Sequence, residues 1–296
     1  MFSDLEHAAA TLRALGDSAR LRLLALCQRG EQSVGDLAAA TALSQPRVSQ
    51  HLKVLAEQGL LERFRDGQRI YYRESRHAAG VLALLGELLP TSSDVAADIE
   101  RLRSNEHASA PTAEVGDRAL NRAVLDCLLA RPVGRLLDIG AGEARMLSLL
   151  SGSAVSAIGV DTDRRVRHRA RRRLGVAGLA NCTIRAAAIE SLPFDARQFD
   201  TVIVDDVLRQ TDDLSAALSE AARVLASDGI MLIIERDFDA DANRSNDLTR
   251  SIASAAADVG LRLAPGRRIA GGWRLATATV AQPTAPSQPL VQGAVS

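Results

Sequence analysis

Apolar positions along this chain follow two rhythms. Val34, Leu37 and Ala38 stand at i, i+3 and i+4, and Val48, Leu52 and Leu55 at i, i+4 and i+7, which predicts two short amphipathic helices. Between them "ALSQP" reads as a turn, with Ser44 as N-cap and Pro46 in the first turn of the second helix. Two strand-like runs follow around "RDGQ", where Asp66-Gly67 supplies the positive φ of a tight hairpin. From about 118 to 281 the rhythm changes. The runs "RLLDI", "SAIGVD", "CTIRAAA", "DTVIVDD" and "IMLIIE" alternate with helical patterns, which predicts parallel strands with helices on both faces.

Two domains follow from this change of texture: 1–103, helix-rich with one hairpin, and 118–281, an α/β unit. The polar stretch "SNEHASAPTAEVGD" (104–117) reads as a linker, and the Pro-, Gln- and Ser-rich segment 282–296 as a disordered tail. No long uncharged apolar run predicts a membrane span, and the first residues lack a signal-peptide pattern, so a cytoplasmic protein is expected. Cys27, Cys127 and Cys182 are widely spaced in apolar surroundings, as reduced core thiols are.

The 36 basic residues balance 36 acidic ones, so any contact with nucleic acid must be local. It is concentrated in one place. In the second helix the core periodicity turns Gln45, Arg47, Ser49, Gln50, His51 and Lys53 outward, side chains able to read base edges or hold phosphates. Arg63, Arg65, Arg69 and Arg73 decorate the hairpin, giving six basic residues against three acidic ones over 47–73. A helix, a turn, a helix and an arginine-bearing hairpin in that order predict a winged helix-turn-helix that binds double-stranded DNA.

"LRALGDSARLRLLALC" and "LSQPRVSQHLKVLAEQGLLERFRDGQRIYYR" resemble the opening helices, recognition helix and wing of the ArsR/SmtB family of repressors, across about 1–100. The resemblance implies a homodimer on an operator with inverted symmetry, and "AAGVLALLGELL" (78–89) has the leucine density of a dimer helix. Many members of that family release DNA on binding metal. Here Val34 and Gly35 stand near the family's thiolate site, and His77 and His107 lack partners at ligand spacing. No metal is expected.

In "LLDIGAGEAR" a strand runs into Gly140 and Gly142 and then a helix, while Asp161 closes the next strand about twenty residues on, where an acid accepts ribose hydroxyls. A dinucleotide fingerprint would want glycine at 145, where Arg145 stands. Asp138, two residues before Gly140, suits a ligand with a cationic amino-acid part. Together with "IESLPFDARQFDTVIVDDVL" and "EAARVLASDGIMLIIE", these segments resemble the class I S-adenosylmethionine-dependent methyltransferases over about 118–281. The resemblance implies a Rossmann-like fold and S-adenosylmethionine or S-adenosylhomocysteine held by Asp138, Gly140, Gly142 and Asp161.

The sequence departs from that pattern at several points. Ala144 replaces the third glycine, Ala186–Ala188 stand where an adenine-binding acid is usual, and no aromatic occurs between Tyr72 and Phe194. No catalytic residue is assigned, and Asp205 and Asp206 read as solvated groups or as acceptor-orienting ones. "DRRVRHRARRRL" (163–174) carries seven arginines. It reads first as a solvated outer helix; the sharper readings are a second phosphate-contacting surface or a docking face for an acidic patch on the first domain. Three functions stay open: a DNA-binding regulator, most simply a repressor, with a methyl-cycle nucleoside as effector; an active small-molecule methyltransferase with a DNA-binding front; and a domain that binds nothing and serves dimer structure.

Overall fold

In the computed structural model the described residues are 5–75, 78, 93–104, 115–129, 131–236 and 242–281. The first domain opens with α1 (Leu5–Leu15) and α2 (Ser18–Cys27), then a short strand β1 (Gln32–Ser33). The helix-turn-helix is α3 (Val34–Thr41) and α4 (Gln45–Glu57), and the hairpin is β2 (Leu61–Asp66) with β3 (Arg69–Glu74). Val48, Leu52 and Leu55 are fully buried, as the spacing predicts. Ser44 takes the N-cap position of α4 with Pro46 just inside, although its hydroxyl makes no capping bond. The three strands form a sheet in the order β1-β3-β2.

Helix α5 (Ser93–Ser104) closes this domain. Its Asp98 is fully buried and accepts two bonds of 2.6 Å from the Arg22 guanidinium, a fork geometry suited to a dry interior. The dimer helix expected over 78–89 lies outside the described residues save Ala78. So do His77, His107, most of the expected linker and the tail 282–296.

Helix α6 (Val115–Leu128) starts the second domain, and its first three residues belong to the stretch expected as linker. Strands β4 (Gly134–Ile139), β5 (Ala154–Asp161), β6 (Cys182–Ala186), β7 (Phe199–Asp205) and β8 (Leu225–Arg236) pair in parallel, in the order β6-β5-β4-β7-β8. Between them lie α7 (Arg145–Leu150), α8 (Arg164–Ala177) and α9 (Leu214–Val224); α10 (Ala242–Asp258) follows. Strands β9 (Leu261–Leu263), β10 (Arg267–Ile269) and β11 (Trp273–Val280) complete the sheet, with β11 antiparallel to β8. Two apolar clusters, one on each face, cover this sheet. Strand order reverses at β4, so a crevice opens beyond the carboxyl ends of β4 and β5.

The domains pack through α8, which is not a solvated outer helix. Arg167 and Arg171 are 4% and 2% exposed and reach into the first domain, whose wing and β1 lie against them. Gly175 permits the approach: a Cβ there would stand 2.1 Å from Gln32 Nε2. Among the described residues no helix is long and apolar enough to cross a membrane, and no cluster of three or more His, Cys, Asp or Glu is placed to hold a metal ion. Cys27 and Cys182 are buried free thiols; burial pushes Cys27 far up and Cys182 up to about 12.

Candidate functional site

A cavity of about 650 Å³ lies at the switch point, a volume typical of small-ligand sites. The turn after β4 forms its floor. Gly140 has φ +81°, and a Cβ there would fall 2.2 Å from Val207 Cγ1 and 2.6 Å from the Asp205 carbonyl, so only glycine fits. Ala144, in the place of a third glycine, adopts the same left-handed region with φ 62°. Asp161 ends β5 at the cavity wall. Its Oδ2 accepts from the Gly142 amide at 3.2 Å and its Oδ1 from the Asp163 amide at 2.7 Å, which fixes the carboxylate in place.

Gly140, Gly142 and Asp161 therefore line one cavity. Asp138 does not: it lies beneath the turn, fully buried, with neither carboxylate oxygen bonded. Burial, with Asp205 nearby, raises it well above the usual carboxylate range. Arg145 lines the cavity, bonded to Asn121 at 3.0 Å and to Asp205 at 3.4 Å. Burial pushes Asp205 up to about 6 against the pull of Arg145. Asp206 also lines the cavity and pairs with Arg236 at 3.2 Å, so neither acid is a plain solvated group.

Two lining residues carried no signal in the sequence pattern. Trp273, from β11, brings the missing aromatic to the cavity, with the Arg236 guanidinium 4.7 Å from its ring centroid. Glu190 stands at the rim two residues beyond the alanine run.

On the first domain, Gln45, Arg47, Ser49, Gln50 and Lys53 are exposed along one face of α4, and Arg63, Arg65 and Arg69 are exposed on the hairpin. His51 is different. It is half-buried, with Nδ1 3.9 Å from Asp17 Oδ1, and so faces its own domain. Arg73 is drawn inward as well, to Glu62 at 2.6 Å and Glu31 at 3.4 Å.

The wing and the cavity meet at α8. Asp66, the acid of the hairpin turn, accepts from Arg167 at 2.6 and 2.9 Å and from Arg171 at 2.5 Å. These guanidiniums hold its carboxyl down at about 2. Glu31 accepts from Arg171 and Arg185, both at 2.8 Å. Arg171 also stacks over Tyr71, 4.4 Å from the ring centroid. Burial lowers His168 from its ordinary range; its Nε2 meets the Arg69 guanidinium, and its Nδ1 lies 3.1 Å from Tyr71 Oη. The same Arg167 donates through Nη1 to the carbonyls of Asp161 (2.9 Å) and Thr162 (2.7 Å), directly behind the cavity.

Comparison with known proteins agrees with this division. Residues 17–63 match the model of the bacterial regulatory protein, arsR family, and 137–233 match that of a methyltransferase domain. The nodulation protein NolR of Rhizobium meliloti is 44% identical over 85 residues, covering 29% of this chain and 68% of NolR. A demethylmenaquinone methyltransferase of Beutenbergia cavernae is 34% identical over 120 residues, 40% of this chain and 48% of that protein. A crystal structure of a SAM-dependent methyltransferase from Aquifex aeolicus superposes with a TM-score of 0.50 at 14% identity, over 61% of this chain and 97% of the other. That likeness concerns the fold. The chain spans less than half of several relatives, 36% in the case of a 37.1 kDa protein of a Streptomyces fradiae transposon. With the arsR-family model matched over 17–63 and 68% of NolR covered at 44% identity, ahead of a Rossmann-like methyltransferase domain, the chain belongs to the arsR family of bacterial regulatory proteins.

Proposed function

We propose that this protein is a homodimeric DNA-binding transcriptional regulator, a repressor in the simplest case, whose methyltransferase domain binds S-adenosylmethionine or S-adenosylhomocysteine as effector. The exposed faces of α4 and the hairpin meet operator DNA: Arg47, Lys53, Arg63, Arg65 and Arg69 hold phosphates, while Gln45, Ser49 and Gln50 face base edges. In the cavity the Gly140–Gly142 turn receives the ligand backbone-first and Asp161 accepts from the ribose hydroxyls. The rim acid Glu190 is placed for the exocyclic amine that the alanine run leaves without a partner.

The observation that carries this reading is Arg167. One guanidinium holds the wing's Asp66 and the carbonyls of Asp161 and Thr162, so the nucleoside wall and the DNA-binding hairpin share a side chain. The test is calorimetric titration with each nucleoside, with and without operator DNA. A change in nucleoside affinity of fivefold or more on adding DNA supports the reading, since linkage is reciprocal. Identical affinities in both arms refute it.

Methyl transfer is the second reading, and Asp205 favours it. A carboxylate pushed up to about 6 at the cavity wall is matched to general-base work near neutral pH. S-adenosylmethionine supplies the electrophilic methyl when bound; Asp205 would take the acceptor's proton, with Arg145 steadying the charge. Turnover of labelled donor with a metabolite mixture, lost in Asp205→Asn, separates this reading from the first.

A further inference from the structure

The turn of the wing gathers cations from both domains. Asp66, its acid, points inward to Arg167 and Arg171. What remains outside is basic. Arg65 Nε donates to the Gly67 carbonyl at 2.7 Å. Arg164, from the first turn of α8, lies across the same residue: a Cβ built on Gly67 would be 2.5 Å from Arg164 Cδ and 2.8 Å from its Nη1. Arg69 touches His168, one helical turn along α8 from Arg164. Arg65, Arg69, Arg164 and Arg165 are all exposed.

Among the described residues neither Arg65, Arg164 nor Arg165 has an ion pair. Asp163 caps α8, its Oδ1 accepting the amides of Arg165 (2.6 Å) and Val166 (3.4 Å), and its carboxylate attracts Arg165 without pairing with it. Like charges brought together on a protein of zero net charge repel unless an external anion joins them. The docking of α8 also leaves the wing's basic side chains accessible, because Arg63, Arg65 and Arg69 stay exposed while Asp66 is withdrawn.

We propose that the first turn of α8 is part of the DNA-contact surface, with Arg164 and Arg165 extending the wing so that one duplex is held by both domains. The proposal rests on the DNA-binding reading above and adds to it that the methyltransferase domain itself touches the phosphate backbone. It also gives the nucleoside a short route to DNA, since α8 begins three residues after Asp161.

Phosphate contacts are independent of sequence, so a random 30-base-pair duplex serves as probe. Its dissociation constant is measured across salt for the full chain, for Arg164→Gln/Arg165→Gln, for Arg164→Lys/Arg165→Lys and for Arg122→Gln/Arg250→Gln. Arg122 and Arg250 are highly exposed arginines on α6 and α10. The expected result is a salt slope lower by about two in the first variant and near the parent value in the lysine variant and the α6/α10 control. Affinity for S-adenosylhomocysteine stays within twofold in all of them.

Parent slope in Arg164→Gln/Arg165→Gln, together with a loss of about one in Arg65→Gln, overturns this proposal and leaves the wing assignment standing. A slope that falls equally in the α6/α10 control reports net charge only and also overturns it. Failure of the parent protein to bind duplex at low salt removes the DNA-binding reading and this proposal together.

Discussion

Replacing Asp66 with asparagine removes the charge at the centre of the interdomain network. In the folded protein this carboxyl sits at about 2 instead of 3.8, which corresponds to about 2.5 kcal/mol of differential interaction at neutral pH. Breaking a buried ion pair costs about 3–5 kcal/mol when the partner is left with nothing. Here both partners keep something. Arg171 retains Glu31 and the Ile184 carbonyl, and Arg167 retains the Asp161 and Thr162 carbonyls. The expected loss is therefore about 2–3 kcal/mol, and it cannot exceed the free energy that holds the domains together, because separation returns both guanidiniums to water.

That ceiling makes the result visible as well as measurable. Trp273 is the single tryptophan and lies in the second domain, so its fluorescence follows that domain alone, while circular dichroism follows both. In urea the parent protein should unfold with coincident transitions. In Asp66→Asn the circular dichroism transition should move ahead of the fluorescence one. Acid provides an independent arm. A carboxyl depressed in the folded state contributes fully above its unfolded value and loses that contribution as pH falls through the folded one, here between about 4 and 2. The asparagine variant should lack that part of the acid slope. Coincident transitions in the variant, with a shift under about 0.5 kcal/mol, would show that the network does not join the domains.

Three further outcomes follow from the two sites. Arg65→Ala should weaken DNA binding evenly across sequences and lower the salt slope by about one, whereas Ser49→Ala should relax sequence preference; filter or fluorescence titrations at several salt concentrations separate the two. Asp161→Ala should abolish the stabilisation by nucleoside, expected in the parent at about 2.7 kcal/mol at one hundred times Kd and read as a rise in melting temperature. Asp205→Asn should stabilise the protein by about 1–3 kcal/mol above pH 6 and have no effect below pH 4. The folded state binds that proton up to about 6, so the parent loses stability as pH rises from 4 to 6 and the variant does not.

The helix-turn-helix and hairpin are legible because local rules agree: helical spacing, an N-cap position with proline behind it, and a glycine in the turn. The glycine turn and Asp161 are legible for a similar reason, since twenty residues of strand, helix and strand fix their relation. Features set by distant segments were hidden. Trp273 lies more than a hundred residues beyond Gly142 and reaches the cavity because β11 runs antiparallel beside β8. The sequence leaves the arginines of α8 open between a solvated face, a phosphate-contacting surface and a docking face for an acidic patch, because periodicity records polarity and not what a polar side chain meets. Two of them meet Asp66 and Glu31 from the other domain, contacts more than a hundred residues apart in sequence. Asp138 is a different case: its place before the turn suggests a ligand contact, and it is fully buried with both carboxylate oxygens unbonded and does not line the cavity.

On the proposed reading, helix α8 also sets how much free energy a nucleoside would have to supply to alter DNA binding. Regulation needs only about 1–3 kcal/mol of differential affinity between two arrangements. Arg167 makes charge-assisted bonds to four acceptor atoms, two on the wing's Asp66 and two at the end of β5, on Asp161 and the following Thr162, each worth about 1.5–3 kcal/mol. A nucleoside that drew Asp161 toward its ribose, as proposed, would move the carbonyls that share this guanidinium. Loss or gain of one such bond is then enough to shift affinity for DNA about tenfold. No wide rearrangement of the sheet is required, because the rigid helix carrying Arg167 begins at Arg164, beside the wing turn. In the proposed regulator one arginine-rich helix thus combines three tasks: Arg164 and Arg165 would face phosphates, Arg167 and Arg171 hold the wing's Asp66, and Gly175 packs against Gln32 of β1.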